Sequence, residues 1–250
     1  MNTEGARITV ATFNIWFDQH HARERHDAIM GLLEARRPDV IALQEVTSAS
    51  LALVLAKPWI RAEYQPSDVD GRTLDRYGVV LLSRIPTRRM TLLPLPSGMG
   101  RKLLVFELEV DGMTVNVATV HLESLKESDA RGVQLGLIFE HLDASEHAIL
   151  MGDFNFCSSW AEENARIRPE YLDVWPAVRP DHPGYSEDPT INRMRYQRKN
   201  PEKRVRFDRI LVKSPALRPL DIELLGTQPI SPDQPDVFPS DHFGLFASLS

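Results

Sequence analysis

Residues 8–46, ITVATFNIWFDQHHARERHDAIMGLLEARRPDVIALQEV, hold the pattern on which the fold turns. The opening ITVATFNIWF (8–17) is rich in β-branched and aromatic residues, the composition of a strand. The segment 21–39 then sets Ile29, Leu32 and Leu33 on one helical face, with Pro38 just past the end to stop the helix. DVIALQEV (39–46) returns as a buried strand. The order strand, helix, strand predicts that the two strands are parallel neighbours in one sheet.

Farther along, the character changes. RYGVVLLSR (76–84), KLLVFELEV (102–110) and MTVNVATVHLE (113–123) are strand-like, and Asp111-Gly112 predicts a hairpin turn between the last two. Strands that follow one another without helices imply antiparallel pairing. Residues 128–144 place Ala130, Val133, Leu137, Ile138 and Leu142 at helical spacing, and HAILMGDFN (147–155) is again a strand. A long stretch from about 156 to 204, rich in Pro, Arg and Asp, reads as irregular. VRFDRILV (205–212) and HFGLFASLS (242–250) are the last strands, separated by a proline-rich segment. No repeat, low-complexity tract or linker divides the chain, so residues 1–250 are expected to form a single domain mixing α and β, more antiparallel than a doubly wound sheet.

Two hundred and fifty residues with 42% hydrophobic content suffice for a large core. The longest apolar run, Leu51 to Ala56, is far short of the roughly 20 residues that span a bilayer, so no membrane association is expected. The first residues lack the basic and apolar regions of a secretory signal, and a cytoplasmic location is the expectation. The single cysteine, Cys157, agrees with a reducing compartment and rules out a cysteine-based zinc site. The net charge of −6 argues against a surface that tracks a nucleic acid over its whole extent. That charge is uneven, however. In RMRYQRKNPEKRVRFDR (193–209) eight of seventeen residues are Lys or Arg, a run that composition alone explains equally well as a solvated loop.

Polar side chains recur where the expected strands begin or end: Asn14, Glu45, His121, Asp153, Asn155, Asp208 and the adjacent pair Asp241-His242. Each alone has a structural explanation, as a turn former, a surface acid or a cap. Together, four carboxylates, two imidazoles and two carboxamides on apolar strands would be costly to bury unless they meet in one solvated cleft or around a cation. A donor set without cysteine and dominated by oxygen selects Mg²⁺ or Mn²⁺ over zinc. The chemistry that uses such a set is phosphoester hydrolysis: a metal polarises the phosphoryl oxygens, a carboxylate orients or deprotonates water, and a histidine held by a second carboxylate stabilises developing charge. His242 with Asp208 as its orienting acid fits that last pair.

The ordered motifs TFNIW, LQEV, HLES, GDFNF, RFDRI and SDHFGL resemble those of the endonuclease/exonuclease/phosphatase superfamily over nearly the whole chain. Within it, NIWFD followed by the RERHDAI helix, HLES, and the block from Tyr171 to Val212 resemble the 5′-tyrosyl-DNA phosphodiesterase 2 branch, with Asp173, Trp175, Gly184, Asp188 and Asn192 at matching places. One departure is Glu187, where that branch usually carries an aromatic residue. The resemblance implies a deoxyribonuclease I-like, four-layer α-β-β-α sandwich of two packed mixed sheets, classed α+β. It implies Glu45 as the main Mg²⁺ ligand with Asn14 and Asp241 nearby, Asp153 as the group that orients water, and Asn155 as its positioning partner. Sequence leaves open which of Asp153 and His242 takes the proton; a histidine already held by Asp208 is expected to be cationic, which favours Asp153 as the base. By the same resemblance His121 and His242 contact phosphate, and Asp208 holds His242.

The basic run immediately precedes Asp208, so Arg204 and Arg206 are expected beside the site, and Trp16 is expected to offer a stacking surface. These expectations amount to a metal-dependent phosphodiesterase acting at a DNA or RNA end, including release of a 5′-tyrosyl or similar adduct, by a monomer. The alternatives are a phosphatase or phosphodiesterase of a small or lipid phosphate, and a nucleic-acid-binding module that has lost catalysis.

Overall fold

The computed structural model describes residues 6–194 and 203–250, so residues 195–202 of the basic run lie outside the described residues. The described chain runs through β1 (Ile8–Asn14), α1 (Ala22–Arg36), β2 (Val40–Val46), α2 (Ser48–Leu55), α3 (Pro58–Glu63), β3 (Gln65–Pro66), β4 (Gly78–Ser83), β5 (Thr87–Pro94), β6 (Lys102–Val110) and β7 (Met113–His121). It continues through α4 (Ser128–His141), β8 (His147–Asp153), α5 (Ala161–Asn164), β9 (Leu172–Asp173), α6 (Val174–Val178), β10 (Asp208–Lys213), β11 (Pro219–Leu225) and β12 (Gly244–Leu249).

The strands form two six-stranded sheets, in the orders β11-β12-β1-β2-β4-β3 and β5-β6-β7-β8-β10-β9. As the opening stretch predicts, β1 and β2 are parallel, with Val10 opposite Val40. Strand alternation then decides the layers. Ile8 and Val10 of β1 point between the sheets, where they join Phe106, Val117, Met151 and Ile210, while Ala11 and Phe13 point outward to α1, α2 and α3. On the second sheet Ala118, Val120, Leu150 and Leu211 point outward onto α4. The result is the α-β-β-α sandwich implied by the motifs.

Local chemistry explains where the strand expectations shift. β1 stops at Asn14, short of Phe17, because Ile15 gives its N–H to Gln44 O at 3.0 Å and Trp16 then enters the left-handed region at φ 55°. The apolar run from Leu51 belongs to α2, opened by a capping box in which Thr47 accepts from Ser50 N. On α4 the expected face is displaced: Val133 is exposed, and the buried stripe is Arg131, Gln134, Leu135, Ile138 and Phe139. Arg131 donates to Glu123 O and Leu125 O, and Gln134 bonds Glu123 N and Pro96 O, so two polar residues occupy core positions to hold the loop after β7. β11, within the proline-rich segment, is a strand because its backbone pairs with β12 from Pro219 to Leu225. The Asp111-Gly112 hairpin turns as expected, with φ 47° and 83°.

Two features fix the end of the sandwich where the motifs gather. Gly152 has φ 137° and passes so close to β7 that a Cβ there would lie 2.0 Å from Val120 O, which only glycine permits. Arg25, fully buried, donates to the carbonyls of His20, Ile15, Trp16, Asp18 and Pro239, clamping the loop after β1 to the approach to β12. Replacing Arg25 by Met leaves those buried carbonyls without their donor. The expected loss is about 3 kcal/mol of unfolding free energy, read from urea denaturation; a change below about 1 kcal/mol would show that the clamp is dispensable.

Candidate active site

Strand register brings the motif residues together. β8 lies between β7, parallel, and β10, antiparallel, so Asp153 has His121 opposite it on one side and Asp208 on the other. In the first sheet Asn14 pairs with Gln44 at the same end of β1, and β12 runs antiparallel to β1, so the segment leading into Gly244 delivers Asp241 and His242 there as well. The site is therefore built from the C-terminal ends of β1, β2, β7 and β8 and the N-terminal ends of β10 and β12.

Asp208 and His242 form a hydrogen-bonded dyad, with His242 Nδ1 2.7 Å from Asp208 Oδ2, both fully or nearly fully buried. Burial pulls the His242 imidazole down, but the carboxylates of Asp208, Glu187 and Asp241 outweigh it and hold the group above its usual value, as an imidazolium. His121 behaves oppositely. Burial drives it to about 3 against the pull of Asp153, with Arg101 adding to the fall, so it is neutral at neutral pH. Its Nε2 lies 3.4 Å from Asp153 Oδ2.

Asp153 sits at the centre. Its Oδ2 accepts from Asn14 Nδ2 at 2.9 Å and its Oδ1 from Asn155 N at 2.8 Å, while the Asn155 carboxamide donates to Leu122 O. Burial opposes ionisation of Asp153, yet the two histidines and these donors together keep it below the usual carboxylate range. Asn155 reaches this geometry in the left-handed region, φ 54°, as does Glu45, φ 61°, at a break in the register of β2 with β4.

Glu45 is the strained carboxylate electrostatically. Burial and the neighbouring charge of Asp241 push it up to about 7, although its Oε2 accepts from Phe17 N at 3.0 Å. Three acids, Glu45, Asp153 and Asp241, thus repel one another across a pocket of oxygen donors, and a divalent cation bound among them would relieve that repulsion. Asp153, Asp208 and His242 also offer ligand atoms within 4.8 Å of one another, but the imidazolium of His242 and its bond to Asp208 suit hydrogen-bond donation to an anion better than ligation. Glu45 and Asp241 fit a hard cation better.

Some expected residues take other roles. Asn14 turns its amide nitrogen to Asp153 and, at 3.3 Å, to Glu45, while its oxygen accepts from Trp16 N at 3.1 Å, so it braces the carboxylates as a donor instead of ligating a cation. Arg206, expected to meet substrate, is buried with its Nη1 donating to both carboxylate oxygens of Asp173 at 2.9 Å, where Arg209 joins it. Arg206 precedes β10, and its pairing with Asp173 takes it out of the cleft that Asp208 faces. Trp16 has the Arg25 guanidinium over its ring at 4.6 Å and packs against the cluster of Phe238 and Phe243, leaving less of it for stacking than expected. Arg204 is exposed, 5.8 Å over the Tyr185 ring.

Two groups at the site had no clear signal in the sequence as site residues. Arg101, outside every motif, is 4% exposed, and its Nε has no hydrogen-bond partner among the described residues. It lies 5.6 Å over Tyr77, which stacks on Phe17 at 4.8 Å and approaches His121 at 6.2 Å. Glu187, visible in the sequence only as a departure from a motif, stands 3.1 Å from His242 Nε2. By contrast, the broad concavity lined by Thr114, Asn116, His141 and His147 lies at the opposite ends of β7 and β8 and takes no part in the site.

Residues 11–242 match the model of the Endonuclease/Exonuclease/phosphatase family. Tyrosyl-DNA phosphodiesterase 2 of Bos taurus is 28% identical over 259 residues, spanning 98% of this chain and 68% of the relative. The Homo sapiens protein of the same name is 28% identical over 258 residues, with 98% and 68% covered. Among solved structures, D. rerio TDP2 complexed with single strand DNA product superposes with a TM-score of 0.83 at 25% identity, covering 98% of this chain and 99% of that one. The mannosyl-6-phosphatase Bt3783 of Bacteroides thetaiotaomicron shares the fold at a TM-score of 0.74 and 19% identity, with 97% and 99% covered.

The raised Glu45 gives a signed pH dependence. Folded protein keeps the Glu45 proton up to about 7, whereas the unfolded chain loses it near 4.5, so the folded state binds more protons between those values and stability falls as pH rises through them. Buried His121 and His26, lowered to about 3 and about 4, contribute the opposite slope, so the Glu45 share is read as a difference: between pH 5 and pH 7 the melting temperature of the chelator-treated parent should fall relative to that of Glu45→Gln. The same pH dependence in both proteins would assign it to other groups.

Proposed function

The chain belongs to the Endonuclease/Exonuclease/phosphatase family, and from that premise we propose that it is a Mg²⁺-dependent phosphodiesterase that releases 5′-tyrosyl or similar adducts from DNA ends. Hydrolysis of phosphate esters is the activity of the family. The observation that carries the proposal is the juxtaposition of a carboxylate aligned for water, Asp153, with the Asp208-His242 imidazolium, beside the crowded acids Glu45 and Asp241.

Glu45 and Asp241 would hold the cation. When bound, it supplies Lewis-acid polarisation of the phosphoryl group and neutralises charge on the departing oxygen. Asp153, fixed by Asn14 and Asn155, orients a water and accepts its proton as the water oxygen bonds to phosphorus and the phosphorus–oxygen bond to the leaving group breaks. His242 donates from Nε2 to a non-bridging oxygen, and Asp208 fixes its ring by accepting from Nδ1. Neutral His121 adds a further polar contact without adding charge.

The DNA-end and aryl-adduct readings rest on the relatives and on the surroundings. Arg101 is a buried cation without a carboxylate partner among the described residues, in an aromatic wall with Tyr77 and Phe17, and a group of that kind is satisfied by a passing phosphate or by the developing charge of an aryl oxygen. Arg204 lies on the side of the basic run that leads to Asp208.

The direct test is Mg²⁺-dependent release of tyrosine from a single-stranded oligonucleotide with a 5′-phosphotyrosyl end. Release is expected to need Mg²⁺, to stop with chelator, and to fall at least about a hundredfold in kcat/KM in Glu45→Ala and His242→Ala. Turnover of a generic diester with no release of tyrosine would keep the chemistry and remove the substrate. Arg101→Met separates stability from activity. Because it deletes an uncompensated buried charge, the variant should be at least as stable as the parent by thermal melting while losing activity on the tyrosyl substrate; a lower melting temperature would mean that Arg101 is a structural residue.

A further inference from the structure

We infer that the groove beside Met99 is a subsite for the polypeptide that carries the leaving tyrosine, and that it selects basic and apolar peptides over acidic ones. The inference rests on the reading above and deepens it, by giving the leaving group a binding surface of its own.

The groove, of about 550 Å³, lies between the loop from β5 to β6, the loop from β7 to α4 and the first turns of α4. Pro96, Met99, Leu125 and Val133 line it, and Leu125 and Val133 are 77% and 54% exposed. Large apolar side chains gathered on a concave surface mark a place where another molecule binds. Leu125 is held there by its main chain. Its backbone is in the left-handed region at φ 63°, which leucine adopts at a cost, and its carbonyl accepts from the buried Arg131 guanidinium at 3.0 Å. The other wall is fixed as well: the Glu123 carboxylate accepts from Ser97 Oγ and Gly98 N, and Ser97 Oγ accepts from Met99 N at 2.8 Å. A surface formed in advance loses little freedom when it is occupied.

Met99 joins this groove to the catalytic cleft. Its thioether accepts from Ser124 Oγ at 3.1 Å and from Arg101 Nη2 at 3.5 Å. The same side chain lines both the groove and the small cavity of Tyr77, Arg101 and His121. Tyrosine joined to DNA through its phenol oxygen is a residue of a polypeptide, so the residues on either side of it need room. A tyrosine whose ester oxygen departs beside Arg101 has the groove as the neighbouring surface for that chain.

Charge decides which peptide fits. Glu127, at the N-cap of α4, and Asp129, in its first turn, line the groove, and no described Lys or Arg does. Their place also complements the helix dipole, but neither carboxylate pairs with a cation among the described residues. Lys126, between them in sequence, is exposed and does not line the groove. An acidic rim on an apolar floor attracts Lys and Arg side chains and repels acidic peptides and DNA phosphates alike.

The test uses one single-stranded oligonucleotide with three different 5′ ends: tyrosine alone, the tyrosine of Lys-Leu-Tyr-Leu-Lys and that of Glu-Leu-Tyr-Leu-Glu, each joined through the phenol oxygen. Values of kcat/KM are measured with Mg²⁺ at low ionic strength in the parent protein, in the double variant Glu127→Gln with Asp129→Asn, and in Leu125→Ser. The parent is expected to favour the basic peptide over the acidic one about fivefold or more, and the double variant to bring that ratio to about twofold or less. Leu125→Ser should lower the turnover of both peptides about threefold relative to tyrosine alone. A basic-to-acidic ratio that is the same in parent and double variant would overturn the proposal.

Salt gives a reading that needs no variant. The parent's ratio should shrink toward one as ionic strength rises, and a ratio insensitive to salt also overturns the proposal. A dimer of the parent that Leu125→Ser dissociates, with the ratios unaltered, would assign the groove to a second copy of the chain and overturn it too. Turnover of all three substrates at equal rates removes the subsite alone, whereas turnover of none removes the underlying reading and the subsite with it.

Discussion

The position of β8, parallel to β7 and antiparallel to β10, governs this molecule. One-residue register in a strand decides both which face a side chain occupies and which residue it meets. Here it sets His121, Asp153 and Asp208 in one row at the end of the second sheet, with Gly152 allowing β8 to pass against Val120. A slip by one position would turn Asp153 away from the cleft and bury it against Phe154 and Leu122 in the outer layer. The two apolar layers on either side of the sheet oppose such a slip, so the same hydrophobic alternation that stabilises the sandwich also aligns the catalytic groups.

On that row the protein gathers more negative charge than its own cations neutralise. The Asp208-His242 dyad is internally balanced, and Asp153 is stabilised by two donors, but burial, with the charge of Asp241 beside it, pushes Glu45 up to about 7. Opposite shifts in nearby groups are a signature of a functional site, and here they separate a cation-binding half around Glu45 from a phosphate-binding half around His242. Glu187 adds one more acid to the second half, 3.1 Å from His242 Nε2.

Rigid polar supports hold the loops that carry these groups. Arg25 ties the turn after β1 to Pro239, and Arg131 with Gln134 ties the turn after β7 to α4. Burying guanidinium groups is costly unless their donors are matched, and both arginines make several bonds to carbonyl oxygens. Each support occupies a helical position where the apolar pattern alone would place a hydrophobic residue, which is why the buried face of α4 includes residues outside the expected stripe.

The sequence by itself determined the strand-helix-strand opening, the mixed α and β class and the list of motif residues, because alternation, helical spacing and acids at strand ends are local properties of the chain. It also identified Asp208 as the partner of His242, since only an acid and an imidazole need each other in that way. Tertiary structure alone decided which charges remain available. Arg206 and Arg204 are equivalent in a basic run, yet one is buried against Asp173 and the other is exposed. Arg101 and Tyr77 belong to no motif and reach the cleft only because β6 and β4 bring their flanking loops beside His121. Long-range pairing sets those distances, and neither residue type nor spacing along the chain encodes them.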